Sequence, residues 1–207
     1  MKWLNVTQGS EEWVTARLGI PTASAFDRIL TPKTRKPSAS QRRYLCELLA
    51  ERVTRNQVVD AGSAWMERGS TLEREAVAFY ELETGRKTEP CGLALTNDER
   101  AGASPDRTIG LSGLLEIKCP AAHTHIGYLL YGLDAEYRIQ QQGQLWVTGR
   151  AFVDFLSHCP GFPPYLAHTE PEGEVQAALT KALPEFCAEL DRCERRLQDL
   201  MTTGRAA

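Results

Sequence analysis

No pair of cysteines in this chain stands at Cys-x-x-Cys spacing, which removes the commonest zinc and redox patterns. The six cysteines, Cys46, Cys91, Cys119, Cys159, Cys187 and Cys193, are expected to be buried, reduced thiols. The four histidines offer no second ligand pair: His158 beside Cys159 stands without a partner pair, and His123 and His125 are left without a role. No apolar run approaches the roughly 20 residues that span a bilayer. The start, Met1 to Glu12, lacks a basic segment followed by an apolar one, so no membrane contact and a cytosolic location are expected. Repeats and low-complexity tracts are absent as well.

Acid is missing from one stretch in particular. Between Asp27 and Glu47 there is none, while Lys33, Arg35, Lys36, Arg42 and Arg43 fall there and Arg28 adjoins them. The net charge is −3, so the surface as a whole does not draw nucleic acid. A local basic cluster can nevertheless neutralise phosphates on an acidic protein. The 207 residues, 42% of them hydrophobic, suffice for one sizeable core, and a single domain over 1–207 with a helical segment from about 172 is expected.

Ser10, with acids behind it, predicts a short helix over 10–18 that Gly19 ends. Thr22 or Ser24 can cap a second, running to about Leu30. Pro32 and Pro37 mark 31–38 as an exposed loop. Longer helices are expected over about 40–55 and 61–84, the second facing the core through Leu72, Ala76 and Phe79 and ended by Gly85. Residues 87–118 alternate short apolar runs with Gly, Pro and Asn, a strand-and-turn pattern. Helices follow over 122–131 and 134–148, then strands over 151–157 and 165–168. A last helical stretch covers about 172–201, broken near Pro184. Trp13, Trp65 and Trp146 read as core aromatics. Helices, a small sheet and helices again indicate an α/β or α+β sandwich.

The decisive segment is Ser104-Pro105-Asp106, nine residues, then Glu116-Ile117-Lys118. Two strands joined by a turn around Gly110–Gly113 would bring Asp106 near Glu116. A four-residue turn would set Asp106 opposite Ile117, so an odd-length turn or a bulge is required. Alternation puts Glu116 and Lys118 on one face and Ile117 on the other. Two carboxylates suit Mg²⁺, which takes oxygen ligands and fills its shell with water and phosphate. Such a metal would polarise a scissile phosphate and generate hydroxide, and two ions roughly 4 Å apart would clamp the entering and leaving oxygens. Lys118 would hold or deprotonate the attacking water, or offset transition-state charge. Glu-x-Lys alone is a weak signal; its pairing with Pro-Asp at hairpin distance strengthens it, against the alternative of a surface turn on a half-exposed strand.

These residues resemble the PD-(D/E)xK motif, and the chain resembles the lambda-type alkaline exonucleases, the YqaJ-like viral recombinases. Gln8-Gly9-Ser10, Trp13, Arg17-Leu18-Gly19 and Thr22-Ala23-Ser24 are similar to the family's opening block. Arg68-Gly69 with Leu72-Glu73 resembles its helix motif. Ser104-Pro105-Asp106 and Leu115 to Pro120 resemble its core. Gln140, Gln142, Gln144 and Trp146-Val147-Thr148 resemble its glutamine helix.

The resemblance implies a restriction-endonuclease-like α/β core, a central mixed β-sheet flanked by α-helices. It implies Asp106, Glu116 and the Ile117 carbonyl as metal ligands, Lys118 as the catalytic lysine, and Glu73 and Gln140 beside the metals. Arg17 and Ser24 would grip a 5′-terminal phosphate. The cofactor would be Mg²⁺, two ions, with Mn²⁺ able to substitute. The implied activity is 5′-to-3′ digestion of duplex DNA ends, releasing mononucleotides and leaving a 3′ overhang for phage-type recombination. A ring-shaped homotrimer and a single-strand annealing protein would be the partners. The family commonly has Gly after Pro-Asp, where this chain has Arg107, and several glutamines compete for one role. The competing readings are a repair or restriction-type endonuclease on the same fold and a non-catalytic DNA-binding module. A related nuclease class carries an iron–sulfur cluster on four cysteines, a set this spacing does not offer.

Overall fold

The structure, a computed structural model, describes residues 1–58 and 63–204, with backbone alone for 63–71. Expectations for Trp65, Arg68 and Gly69, and for a helix start at Ala61, therefore lie outside the described residues or side chains.

Strand β1 (Lys2–Leu4) leads to helix α1 (Glu11–Arg17), where the Ser10 hydroxyl accepts the Trp13 N–H as the N-cap. Gly19, at φ +69°, turns the chain away, a conformation that costs a glycine little. The next segment, Ala23–Arg28, corrects the expectation of an ordinary capped helix. It is a 3₁₀ turn kinked at Ala25, and neither Thr22 nor Ser24 caps it through its side chain. Phe26 is fully buried beneath it, so the segment is anchored by packing rather than by helical hydrogen bonds.

Helices α2 (Gln41–Thr54) and α3 (Ser63–Thr84) follow, then β2 (Glu89–Pro90), β3 (Leu93–Leu95), β4 (Gly102–Ala103), β5 (Arg107–Ile109) and β6 (Gly113–Lys118). On α3, Ala76 is buried while Leu72 and Phe79 are half-buried. After β6 come α4 (Ala122–Tyr131), α5 (Ala135–Thr148), β7 (Phe152–Ser157), β8 (Tyr165–Thr169) and α6 (Gly173–Thr203).

The main sheet runs β2-β5-β6-β7-β8, and a three-stranded sheet runs β1-β3-β4. β6 and β7 are parallel, joined by a crossover through α4 and α5, and the other pairings are antiparallel. The expected mixed sheet flanked by helices is thus present. Strand β1, outside the strands expected from the sequence, is three residues long and closes against β3.

The expected break at Pro184 does not occur, because α6 is one helix through it. Proline removes a donor and leaves the carbonyl four residues earlier without its bond. Here that carbonyl belongs to Thr180, and both Thr180 and Pro184 are exposed, so water can serve it. The stripe Val175, Leu179, Leu183, Phe186, Cys187 and Leu190 is buried at helical spacing against α5 and α2. That packing outweighs the local penalty. Arg52 ties α2 to α6 through Asp191 and Glu194. The cysteines are free thiols, but only Cys159 and Cys187 are buried as expected; Cys91, Cys119 and Cys193 are half-buried and Cys46 is exposed, beside the groove between α2 and α6.

Candidate active site

The β5–β6 hairpin decides where the carboxylates go. Its register pairs Ile109 with Gly113, Thr108 with Leu114 and Arg107 with Leu115, leaving the three-residue turn Gly110-Leu111-Ser112. Gly110, the first residue of the turn, sits at φ +55°, a left-handed conformation that glycine adopts without strain. The odd length that the sequence required is therefore met. Carried one residue further, the register sets Asp106 opposite Glu116. Asp106 lies just outside β5, and Pro105 before it has no N–H to extend the ladder. The Asp106 side chain takes over: its Oδ2 accepts the Ile117 N–H at 2.6 Å.

Alternation along β6 sends Ile117 into the core with Ala76, Tyr80, Leu115 and Leu156, and Glu116 with Lys118 to the opposite face, under α5. Glu116 is 2% exposed, yet its carboxylate is well served. Oε1 accepts Lys118 Nζ at 2.5 Å and Gln140 Nε2 at 2.7 Å, and Oε2 accepts Gln144 Nε2 at 2.6 Å. The four glutamines of α5 divide their work. Gln140 and Gln144, one helical turn apart, hold Glu116. Gln141 accepts the Thr169 hydroxyl on β8, and Gln142 fastens the start of α6 through Glu170, Glu172 and Gln176. Gln144 is the site residue the sequence reading left unassigned; its i+4 spacing from Gln140 was the available signal.

Electrostatics in the cluster favour an added cation. Burial first, and the Glu116 charge second, push the Asp106 carboxyl from 3.8 up to about 8. Burial acts against the Lys118 ammonium, but Glu116 and Asp106 outweigh it, so its pKa rises and it stays charged. Glu73, half-buried on α3, lines the same 610 Å³ cleft as Asp106, Arg107 and Cys91 and adds to the repulsion on Asp106. Among the described residues no three His, Cys, Asp or Glu side chains gather closely enough to form a ready-made metal cage. Asp106 and Glu116 are oxygen donors, the ligand type Mg²⁺ takes together with water and phosphate oxygens. The donor set therefore fits a hard divalent ion at Asp106 and Glu116.

Arg107, in place of the family's Gly, takes no left-handed backbone. Its guanidinium bonds Thr88 through Nε at 2.7 Å and Nη2 at 3.0 Å, stitching β5 to the chain before β2.

A second polar cluster adjoins the first. Arg17 Nη1 donates to Ser104 Oγ at 3.1 Å, two residues before Asp106, and Nη2 donates to Thr22 Oγ1 at 3.1 Å. Thr22 Oγ1 lies 3.3 Å from Ser24 Oγ. The Arg17 guanidinium stacks 4.1 Å over Trp13, whose Nε1 also donates to Ser104 at 2.9 Å. Trp13, expected in the core, is half-buried and lines the cleft instead. Arg17 and Ser24, with Thr22 and Arg28, border a pocket of about 180 Å³. Burial draws the Arg17 pKa down, and among the described residues no carboxylate pairs with it. A desolvated guanidinium of this kind gains most from an anionic ligand.

Gly143 on α5 makes the two clusters neighbours. A Cβ there would lie 2.5 Å from the Phe26 ring, so only glycine lets α5 approach the 3₁₀ segment this closely. In the basic stretch, Arg28 and Arg43 both pair with Glu47, and Arg35 pairs with Glu174. Lys33, Lys36 and Arg42 are exposed. His125 is a fully buried structural residue: Nε2–H donates to the Pro163 carbonyl, which leaves Nδ1 to accept from Ser157.

The YqaJ-like viral recombinase domain matches residues 12–151. The chain belongs to the YqaJ-like viral recombinase family. The alkaline exonuclease LHK-Exo of Laribacter hongkongensis is similar in structure, with 34% identity and a TM-score of 0.83. The match covers 95% of this chain and 100% of that one, and a second structure of LHK-Exo, in complex with dAMP, matches equally. A phage related exonuclease from Haemophilus somnus 129PT shares the fold, with a TM-score of 0.71 at 11% identity over 86% of this chain and 96% of that one. No curated protein matches the chain. Among the described residues no helix is long and apolar enough to cross a membrane.

Proposed function

We propose that this protein is a Mg²⁺-dependent 5′-to-3′ exonuclease that digests duplex DNA from its ends. The observation that carries the reading is the meeting of Asp106, Glu116 and Lys118 on one hairpin, beside the Arg17 pocket. Membership of the YqaJ-like family and the 34% identity to an alkaline exonuclease support it. Asp106, Glu116 and the Ile117 carbonyl would hold Mg²⁺, or Mn²⁺ in its place. Two bound ions would supply charge to the scissile phosphate and lower the pKa of an attacking water.

The remaining roles belong to the chain. Lys118 is charged and 31% exposed at its side chain, placed to orient the water or offset charge on the phosphate. Gln140 fixes Glu116. Glu73 faces the cleft and assists the water or the second ion. Arg17, held over Trp13, clamps a terminal phosphate with Ser24; Ser104, two residues before Asp106, joins them as a hydroxyl bonded to Arg17. The exposed Lys33, Lys36 and Arg42 contact the DNA backbone. A homotrimeric ring around the duplex, and a single-strand annealing partner for the 3′ overhang, complete the proposal.

The deciding experiment uses one duplex with a 5′-phosphate on a single strand and a label on each. Mononucleotide release from the phosphorylated strand alone, dependent on Mg²⁺, is the expected result. Rapid cutting of closed circles would replace this reading with an endonuclease on the same fold. Absence of any cleavage would leave a DNA-binding module.

A further inference from the structure

We infer that Gln144 is a positioning residue that holds Glu116 so that one lone pair of its Oε2 stays open to a divalent cation. The inference rests on the metal-binding role proposed above for Glu116. An ionised carboxylate has about four acceptor sites, two on each oxygen. Oε1 fills both of its sites with Lys118 Nζ and Gln140 Nε2. Oε2 takes only Gln144 Nε2, at 2.6 Å, and keeps its second site. Gln144 thus fixes the orientation of the oxygen left available for coordination without saturating it.

The cost at Gln144 itself argues against mere packing. The residue is 1% exposed, and its Oε1 is buried with no protein partner among the described residues. A buried, unpaired amide carbonyl is destabilising, and Met or Leu would fill the same volume without it. Gln144 bears that cost where its amide reaches Oε2. Its neighbours Gln141 and Gln142 are committed elsewhere. Gly143 holds the helix close to the 3₁₀ segment and so fixes its depth over β6.

Outer partners of metal ligands commonly set affinity by about 10- to 100-fold. The test measures Mn²⁺ binding by isothermal titration calorimetry without DNA, on wild type, Gln144→Met and Gln140→Met. Gln144→Met is expected to weaken Mn²⁺ binding by about 10- to 100-fold and to raise the Mg²⁺ concentration for half-maximal digestion by a similar factor. Its activity at saturating Mg²⁺ should recover to within a few-fold, and its duplex affinity in EDTA should match wild type. A purely structural role would depress activity at every metal concentration. Gln140→Met should lose less Mn²⁺ affinity, because Lys118 still occupies Oε1. Should Gln144→Met fail to fold, Gln144→Asn keeps the amide and withdraws it by one methylene, with the same shift expected. Wild-type Mn²⁺ affinity in either folded variant overturns the inference. Wild-type protein that neither binds Mn²⁺ nor digests duplex would instead overturn the nuclease reading on which it rests.

Discussion

Replacing Asp106 by Asn should stabilise the metal-free protein while destroying its activity. In the folded, metal-free state the Asp106 carboxyl keeps its proton up to about 8, against 3.8 ordinarily, because of burial and then the Glu116 charge. The unfolded chain releases that proton near 3.8. Between those values the native state binds more protons than the unfolded one, so stability is full below about pH 4 and declines as pH rises through about 8. Holding that proton from 3.8 to about 8 corresponds to at most about 5–6 kcal/mol, at roughly 1.4 kcal/mol for each tenfold change in proton concentration. Asp106 is half-buried and borders the cleft, so solvent screening reduces this to about 1–3 kcal/mol. Asn retains an oxygen for the Ile117 N–H and carries no charge. In EDTA at pH 9 the variant should therefore melt about 2–10 °C above wild type, and near pH 5 the gap should shrink to about a third of that. Saturating Mg²⁺ should reverse the order, raising the wild-type melting temperature and leaving the variant's unchanged. Thermal unfolding followed across pH 5–9, with and without Mg²⁺, measures all of this. An Asn variant no more stable than wild type at pH 9 in EDTA would refute the argument.

Three further outcomes are expected. Lys118→Gln should lower duplex digestion by at least about 100-fold while Mn²⁺ still binds by calorimetry; normal cleavage would remove the lysine from the chemistry. Arg17→Ala should cost about 10- to 100-fold on 5′-phosphorylated ends, the worth of a charge-assisted hydrogen bond, and bring the rates on phosphate and hydroxyl ends together; digestion of paired substrates reads that ratio. Gly143→Ala should destabilise the fold by about 1–3 kcal/mol, since its Cβ would meet Phe26 at 2.5 Å, and chemical denaturation would show it.

Several features of this protein were settled within short stretches of chain. Strand alternation alone put Glu116 and Lys118 on one face and Ile117 on the other. The spacing of Asp106 from Glu116 demanded an odd turn, and Gly110 supplied the residue able to make one. The helices around the sheet followed from apolar spacing and caps, as with Ser10 on α1. Other features depended on contacts between distant segments. Trp13 and Arg17 meet Ser104 across about 90 residues, and nothing in either segment names the other. Four glutamines in five positions looked alike until the depth of α5 over β6 selected Gln140 and Gln144. Pro184 was locally a helix breaker, and only the buried stripe against α2 carried α6 past it. The division is physical: backbone geometry and side-chain period act over a few residues and can be read along the chain. Which polar groups share a buried carboxylate depends on how close two elements pack, and that distance is set by the whole core.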